Sequence, residues 1–512
     1  MIDAADLVAD PQLAECFGIL ASASADILRG AGDPAMIANP YLHPRNIHPG
    51  NLTLYRPLID GLDEPRTGLK NKLVGLRALG TALRDKSTAW QGDDVSAPID
   101  VLFVSHLLRP EQATSGQDLY YGRLPEELQQ HGLRCAVAMI NHTGLSWASI
   151  APRWKKQPAP RLLLARTLSA LGELRNGFAL TRAGRRLKSH SSSDALIAEL
   201  AIRAAMHSSS GTARSALRIG MQVAALTKHT RARVVVMTYE GHAWERLAML
   251  LARRSVPDIQ CVGYSHAVLF PEPRAMTASL GAALDPNHIL TAGTVTRDKL
   301  KELVQMPNVR LGVLGSVRRG TAALSPDRPQ RCLVLPEGLV SESVPLILAA
   351  IQAAKLLPDV KFRIRLHPVL KREQLLSEAP LLRSLPTNVE WSDQGPLEAD
   401  FVDCRWLLYR GTSAVFQGVE AGLKPFYLGL PGEFSSIDPL ADLDAWRVAI
   451  KSGADLASAM SNPTDVKLEQ AELAAARLYC STYFAPINPA ALIDIANGVS
   501  GQGALAEDSR FA

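Results

Sequence analysis

The sequence lacks the features of a membrane-spanning or secreted chain. No apolar run reaches the roughly 18 residues that a membrane-spanning helix requires. The first residues, MIDAADLVADPQLAE, are acidic and do not follow the basic-then-apolar order of a secretory signal. We therefore expect a cytoplasmic protein.

Cysteine is scarce and scattered. The six cysteines lie far apart and form no CxxC pair, which excludes a disulfide framework or a zinc site of the usual spacing. We expect buried thiols instead. No Asp-x-Asp pair occurs near either candidate site described below, so the sequence predicts no metal.

The composition is that of a globular protein. Hydrophobic residues make up 47% and charged residues 21% of the 512 residues, which is enough for about two to four domains with packed cores. The formal net charge is only +5, and much of this excess is local.

One segment is strongly basic. Residues 151–190 contain ten Lys or Arg and a single acid, Glu173, together with several leucines. Such a stretch is typical of a helix that contacts an anionic membrane surface, and equally of a solvated helix face. No nucleic-acid-reading module accompanies the charge, so we expect no nucleic-acid partner.

Alternating strand-like and helix-like stretches predict an α/β fold. Apolar strand-like runs occupy residues 99–105, 135–140 and 234–237. After a polar linker, the alternation of strands and helices starts again with a strand at 331–335. We predict two Rossmann-like, doubly wound domains that face a cleft. The predicted parts are a helical N-terminal extension (1–97), a first domain (98–318) with a helical basic insertion (151–230), a second domain (330–470), and C-terminal helices with a tail (471–512).

The stretch VVVMTYEGHAWER combines a buried strand, a short corner and an amphipathic helix. Ligands bind at such corners in open α/β sheets. Glu240, beside Gly241, is therefore a candidate for proton transfer. The alternative is that Glu240 only favours the positive start of the helix.

A second group of residues suits a sugar acceptor. The segment DLYYGRLP supplies aromatic faces and charged edges at Asp118, Tyr120, Tyr121 and Arg123. A helix cap with ordinary interface residues is the alternative. We place two histidines on the same acceptor side, His242 and His266.

The second predicted domain carries a candidate anion site. In the strand KFRIRL, apolar residues face one way and basic residues the other, and the strand ends in His367-Pro368. An edge strand facing water would explain the basic side. So would an anion held by Arg365 and His367, with Pro368 fixing the exit of the chain.

A Gly-Thr-Ser helix start provides the matching half of this anion site. Gly411 permits close approach, and Thr412 or Ser413 is predicted to cap the following helix, whose free amides attract anions. Glu420 is placed for ribose hydroxyls, and Glu337 lies in the loop after the strand at 331–335. Together these residues favour a phosphate-bearing nucleotide.

These motifs resemble those of bacterial glycosyltransferases of the GT-B fold, above all enzymes that use CMP-activated sialic acid, Kdo or other nonulosonic acids. The likeness covers roughly residues 99–440 and is carried by Glu240-Gly241 and His367-Pro368, with Tyr239 where those sialyltransferases have a first acidic residue. TYEGHAWER and DLYYGRLP also resemble surface carbohydrate biosynthesis proteins. The resemblance implies that Glu240 is the catalytic base and that His367 contacts the CMP phosphate.

The resulting hypothesis is a metal-independent glycosyltransferase of surface polysaccharide biosynthesis. It would move a nonulosonic acid, such as sialic, pseudaminic or legionaminic acid or Kdo, from CMP to a glycan or protein acceptor, with no cofactor besides the nucleotide-sugar donor. A CDP-glycerol or CDP-ribitol phosphotransferase and a non-catalytic nucleotide-binding assembly protein are the alternatives.

One geometric expectation follows from this hypothesis. Glu240 and His367 should open onto one interdomain cleft, each after a strand's carboxyl end. The nucleotide should lie on the second domain, and the acceptor should enter past Tyr121 and His266.

Overall fold

The molecule is built around two separate, mainly parallel β-sheets. The computed structural model describes residues 11–29, 32–63, 68–85, 89–190, 192–318, 328–392, 395–431, 433, 436–443, 445–462 and 466–498. Most of the predicted linker and the predicted C-terminal tail lie outside these residues.

Helices precede the first sheet and pack on it. Apolar residues of the N-terminal helices join the core that covers one face of that sheet. The elements are α1 (Pro11–Arg29), α2 (Pro34–Ile37), α3 (Pro49–Leu52), α4 (Arg56–Ile59), α5 (Gly68–Asp85) and the short strand β1 (Trp90–Gly92).

The first sheet alternates strands with helices. Its elements are β2 (Val101–Leu107), α6 (Leu124–Gln130), β3 (Cys135–Asn141), α7 (Trp147–Ile150), β4 (Arg161–Leu164), α8 (Ala170–Lys188), α9 (Ala195–His207), α10 (Gly211–Thr230), β5 (Val234–Thr238), α11 (Ala243–Ser255), β6 (Gln260–Ser265), α12 (Arg274–Thr277), β7 (His288–Thr291), α13 (Thr294–Leu303) and β8 (Arg310–Val313).

The strand order of the first sheet creates a switch point. The order is β1-β4-β3-β2-β5-β6-β7-β8, and every neighbouring pair is parallel except β1 with β4. The chain runs outward from β2 through β3 to β4, and then returns through α8, α9 and α10 to β5 on the other side of β2. A crevice therefore opens between the carboxyl ends of β2 and β5.

Two predictions for this half need correction. The extension 1–97 was predicted to be helical, but Trp90–Gly92 forms strand β1. Residues 151–230 were expected to be helical throughout, but Arg161–Leu164 forms β4, and all four of its residues are buried. A short leucine run is compatible with a buried strand or a helix, and here its pairing with β1 and β3 decides for the strand.

The second sheet repeats the same winding. Its elements are β9 (Arg331–Leu335), α14 (Val340–Leu356), β10 (Lys361–Ile364), α15 (Arg372–Glu378), β11 (Val389–Trp391), α16 (Leu397–Val402), β12 (Trp406–Tyr409), α17 (Ala414–Glu420), β13 (Lys424–Leu428), β14 (Val448–Ile450) and α18 (Gly453–Ser461). The strand order is β11-β10-β9-β12-β13-β14, parallel throughout, with the switch point between β9 and β12.

Both faces of each sheet are covered by apolar packing. In β2, Leu102 and Val104 belong to one core, whereas Val101 and Phe103 belong to another. Successive residues of β9 divide in the same way between the two cores of the second sheet. Because side chains alternate along a strand, this division requires helices on both sides. The predicted GT-B-like fold class, two doubly wound Rossmann-like domains, is confirmed.

The chain passes between the two halves more than once. It leaves the first sheet after β8 and enters the second at β9, then returns through α19 (Val466–Tyr483) and α20 (Ala490–Ala496). Cys480 of α19 packs with the second sheet, whereas Leu492 of α20 packs with the first. The predicted domain limits stay predictions.

Within the described ranges, no helix is both long and apolar enough to cross a membrane.

Candidate functional site

A cleft opens where the two halves and the N-terminal helices meet. Its volume is about 310 Å³, and its lining includes Arg45 and His48 from the N-terminal part, Glu240 and Phe270 from the first half, and Leu339 from the second. All three parts of the chain therefore contribute to one concave site.

The corner after β5 presents Glu240 to this cleft. Gly241 has φ +83, and a Cβ there would lie 2.6 Å from the backbone nitrogen of Met276, so the turn requires glycine. The Glu245 carboxylate accepts hydrogen bonds from the backbone amides of residues 240, 241 and 242 at 2.8–3.1 Å. The acid that caps α11 is thus Glu245. Glu240 is left facing the cleft with 35% of its side chain exposed.

Three cationic or ionisable side chains surround the Glu240 carboxylate. His266 Nε2 lies 3.4 Å from Oε1, while Arg45 Nη1 and His242 Nε2 lie 3.5 and 3.6 Å from Oε2. Burial alone would raise the pKa of Glu240, but the two histidines and Arg45 lower it well below its ordinary value. Glu240 is therefore ionised at neutral pH.

Histidines also line the switch point between β2 and β5. His106, near the end of β2, bonds Thr238 of β5 through Nε2 and His142 through Nδ1, both at 2.8 Å. The Tyr120 ring packs between His106 and His266, with centroid distances of 5.3 and 4.6 Å. Burial lowers the pKa of His106 to about 3 and that of His266 to about 4, so both rings are neutral at pH 7.

The N-terminal part supplies two residues that sequence analysis did not assign. Arg45 contacts Glu240, and His48 Nε2 lies 3.0 Å from Glu337 Oε2 of the second half. The available signal was the run His43-Pro44-Arg45-Asn46-Ile47-His48-Pro49, which concentrates polar groups in a proline-bounded loop.

In the second half, Glu337 occupies the switch point between β9 and β12. Gly411, after β12, has φ +66, and a Cβ there would lie 2.7 Å from Glu337 Oε2. His367 follows β10 and packs on Gly338, where a Cβ would lie 3.3 Å from His367 Nδ1. Burial lowers the pKa of His367, and Glu337 opposes that shift.

Arg318 lies between the two groups of residues, at the end of the predicted first domain, and sequence analysis gave it no role. Its Nη1 donates to Ser413 Oγ at 3.3 Å. Its charge also contributes to lowering the pKa of His266 in the first half and of His367 in the second. Arg318 is therefore in electrostatic range of both corners.

Several predicted acceptor residues lie elsewhere. Tyr121 is fully buried among Phe103 and Tyr264 and donates to the Val104 carbonyl at 3.2 Å, so an acceptor cannot pass it. Asp118 binds the amides of Tyr120 and Tyr121 and shapes the local turn. Arg123 is exposed at the start of α6. Of this group, Tyr120 alone contacts the cleft histidines in the described part of the chain.

Two predicted donor residues are also engaged elsewhere. Arg365 donates to Asp400 at 2.8 Å and to the Gly395 carbonyl at 2.7 Å. Glu420 is buried at the end of α17, where its charge contributes to raising the pKa of the Cys480 thiol. Thr412 accepts from the Ala414 amide at 3.3 Å, and Pro368 is exposed beyond His367.

The basic side of β10 has a simpler explanation than either one predicted. β10 is an inner strand, between β11 and β9, and so does not form an edge. Arg363 and Arg365 both pair with the buried carboxylate of Asp400 on α16, at 3.1 and 2.8 Å. The charges of both arginines are therefore neutralised within the protein.

No protein-family model and no curated protein matches the chain. Several solved structures of glycosyltransferases are similar in part. The kitacinnamycin glycotransferase is 15% identical, with a TM-score of 0.48 and coverage of 78% of this chain and 100% of that one. CalG4, the calicheamicin glycosyltransferase, is 14% identical, with a TM-score of 0.45 and coverage of 80% and 100%. SnogD from Streptomyces nogalater is 17% identical, with a TM-score of 0.44 and coverage of 80% and 100%. These TM-scores are below 0.5. The two Rossmann-like halves are defined by the sheet topology of this chain itself.

The described residues contain no group of three or more His, Cys, Asp or Glu side chains that could hold a metal ion. Positive charge at the site comes from Arg45 beside Glu240 and Arg318 beside Ser413, with histidines as further hydrogen-bonding groups. Such an arrangement can bind an anionic substrate and move a proton beside it.

Proposed function

We propose that this protein is a glycosyltransferase that uses a nucleotide-activated sugar. The observation that carries the proposal is the Glu240 carboxylate, which projects into the cleft between two Rossmann-like halves and is ringed by Arg45, His242 and His266. Sugar transfer needs a proton acceptor on one side of such a cleft and an anion site on the other.

In the proposed mechanism, Glu240 and His242 act as a pair. A carboxylate with a strongly lowered pKa is a weak base, whereas imidazole is a common proton acceptor near neutral pH. His242 takes the proton of the acceptor hydroxyl, and Glu240 stabilises the imidazolium that forms. Arg45 donates to His242 Nε2 at 3.1 Å. An anionic donor that binds Arg45 would free this nitrogen.

The leaving phosphate is proposed to lie on the second half. Arg318 and His367 would contact it, since the charge of Arg318 acts on His367, and Ser413, which accepts from Arg318, completes the group. Positive charge and hydrogen-bond donors at this position stabilise the charge that develops on the departing phosphate.

The narrower proposal is a CMP-linked nonulosonic acid as donor. Such a donor carries two separated negative charges, the phosphodiester and the sugar carboxylate. Two guanidinium groups match these charges, Arg318 beside Ser413 of the second half and Arg45 beside Glu240 of the first. The acceptor is proposed to be a glycan or a protein that approaches from the side of Tyr120 and His266, and the reaction to take place in the cytoplasm.

Two measurements test the proposal. A thermal-shift screen with CMP, CDP, UDP and GDP identifies the donor class, since a ligand at a hundredfold excess over Kd adds about 2.7 kcal/mol of stability. A response to UDP alone would remove the nonulosonic-acid proposal.

Turnover then tests the catalytic pair. Glu240→Gln and His242→Asn should each lower kcat by about 10²–10⁴-fold while nucleotide binding is retained, and the double variant should lose little more. The matched control is Glu302→Gln, at an exposed position of α13. Full activity of Glu240→Gln would overturn the proposal.

A further inference from the structure

Two neighbouring helices, α5 and α8, carry apolar side chains that project into solvent. On α5 these are Leu73, Leu76 and Leu83, and on α8 they are Leu171, Leu174 and Phe178. Phe178 is 76% exposed and Leu83 is 67% exposed, so these side chains do not belong to the core. The spacing on each helix forms a stripe along one face. We name these six residues the α5–α8 face.

The two helices lie side by side on α10. A Cβ on Gly75 of α5 would lie 2.9 Å from Arg214 Nη2, and one on Gly177 of α8 would lie 3.3 Å from Nη1 of the same residue. The Arg214 guanidinium of α10 therefore sits beneath both helices. Both helices therefore turn a glycine towards α10, while the apolar side chains of both stripes stay exposed.

Positive charge predominates around this face, where Arg186 of α8 pairs with Asp33 at 2.9 Å. Both acids of the two helices are in ion pairs, Asp85 with Arg166 at 2.5 Å and Glu173 with Arg218 at 2.7 Å. The nine basic residues of the two helices are all exposed, and they are Lys70, Lys72, Arg77, Arg84, Arg175, Arg182, Arg185, Arg186 and Lys188.

We propose that the α5–α8 face binds the surface of an anionic lipid bilayer. Its leucines and Phe178 would enter the interfacial layer, while the surrounding cations meet lipid phosphates. A second copy of the chain is the less favourable occupant, because two such faces would bring eighteen cations together with no acid left unpaired on either pair of helices.

The position of this face relates it to the cleft without depending on the proposed function. Asp85, the last residue of α5, pairs with Arg166, which follows β4 by two residues. One end of the face thus lies at the carboxyl edge of the first sheet, the edge that also carries His106 and Glu240. Lipid binding is measurable whether or not the protein transfers a sugar.

Sedimentation with vesicles tests the proposal directly. The full chain should bind vesicles that contain phosphatidylglycerol at least tenfold more tightly than vesicles of phosphatidylcholine alone, and high salt should reverse most of this preference. Equal binding to both vesicles, or to neither, would overturn the proposal.

Apolar substitutions localise the binding surface. Leu76→Ser with Phe178→Ser should lower partitioning onto anionic vesicles at least tenfold. The matched control is Leu468→Ser with Leu478→Ser on α19, where the side chains are 56% and 67% exposed. Equal losses in both double variants would contradict a specific surface.

Charge substitutions provide a second, independent test. Arg175→Glu with Arg182→Glu should lower partitioning about thirtyfold or more, whereas Lys361→Glu with Arg383→Glu, an equal change of net charge elsewhere, should not. If gel filtration instead shows a dimer that the α5–α8 variants dissociate, a second copy is the occupant and the lipid proposal is wrong.

Discussion

His48 Nε2 lies 3.0 Å from Glu337 Oε2, although 289 positions separate the two residues. Their side chains are only 14% and 9% exposed. In the same segment, Arg45 reaches Glu240. The N-terminal loop therefore contacts a carboxylate at the switch point of the second sheet and another at the corner beside the switch point of the first.

Removing His48 should weaken this connection. His48→Ala leaves the buried Glu337 carboxylate without its partner and should cost about 1–3 kcal/mol of unfolding free energy in urea denaturation. Adding Glu337→Ala should cost little more, because the two residues share one interaction. The exposed His131→Ala is the control. Additive costs of the two single substitutions would contradict the pairing.

Gly411→Ala should impair nucleotide binding as well as stability. Its φ of +66 makes alanine unfavourable by about 1–2 kcal/mol, and the added Cβ would also displace Glu337 and press on Ile437 Cδ1 at 3.0 Å. Gly132→Ala is the matched control, since its φ is +81 with no atom within 4 Å of the added carbon. We expect similar backbone strain in both variants but a weaker nucleotide-induced thermal shift in Gly411→Ala alone. Equal shifts would show that Gly411 does not shape the nucleotide site.

Stability should fall as the pH drops from about 6.5 towards 4, in part because of His266. Burial lowers its pKa in the folded state to about 4, whereas in the unfolded chain it titrates near 6.5. Between these values the unfolded state binds a proton that the folded state does not, so the free energy of unfolding decreases as the pH falls. His266→Gln should make this decrease shallower in urea denaturation at several pH values, and His131→Gln should not. An unchanged slope would contradict the burial of a neutral ring.

Arg246 should be among the costly positions of the first half. Its guanidinium is fully buried, pairs with Asp285 at 2.7 Å, and donates to the carbonyls of Ala275 and Ala278. Arg246→Met would leave Asp285 as an uncompensated buried charge and should cost about 3–5 kcal/mol in urea denaturation. The surface variant Arg310→Met should stay within about 0.5 kcal/mol of the parent. A loss below 1 kcal/mol in Arg246→Met would show that the pair contributes little.

The two sheets were predictable from sequence because their signals are local. Runs such as Val234–Thr238 are apolar over a full strand, and turn residues separate them from helices. β1 and β4 were missed because runs this short, without strict alternation, do not distinguish a strand from a helix. The Glu240 corner was also predictable, since a strand, a glycine and an amphipathic helix follow one another directly.

Partners distant in sequence were not predictable. Nothing near Arg45 indicates that it reaches Glu240, 195 positions away. Nor does the neighbourhood of Arg365 reveal Asp400, so the charges of β10 suggested a ligand that the fold does not need. In the pair Tyr120 and Tyr121, the first ring packs against His106 and His266 and the second is in the core, a distinction that only the packed turn determines.

The return of the chain through α19 and α20 affects how the halves can move. At Gly315, just after β8, a Cβ would lie 2.0 Å from the Pro486 carbonyl oxygen, so the outgoing and returning segments touch backbone to backbone. A body tethered at one point can swivel in any direction, whereas two adjacent tethers leave mainly one rotational degree of freedom. Any relative motion of the halves should therefore be a rotation about one hinge axis. Such a rotation changes the width of the cleft and keeps Glu240 and Glu337 on opposite sides of it.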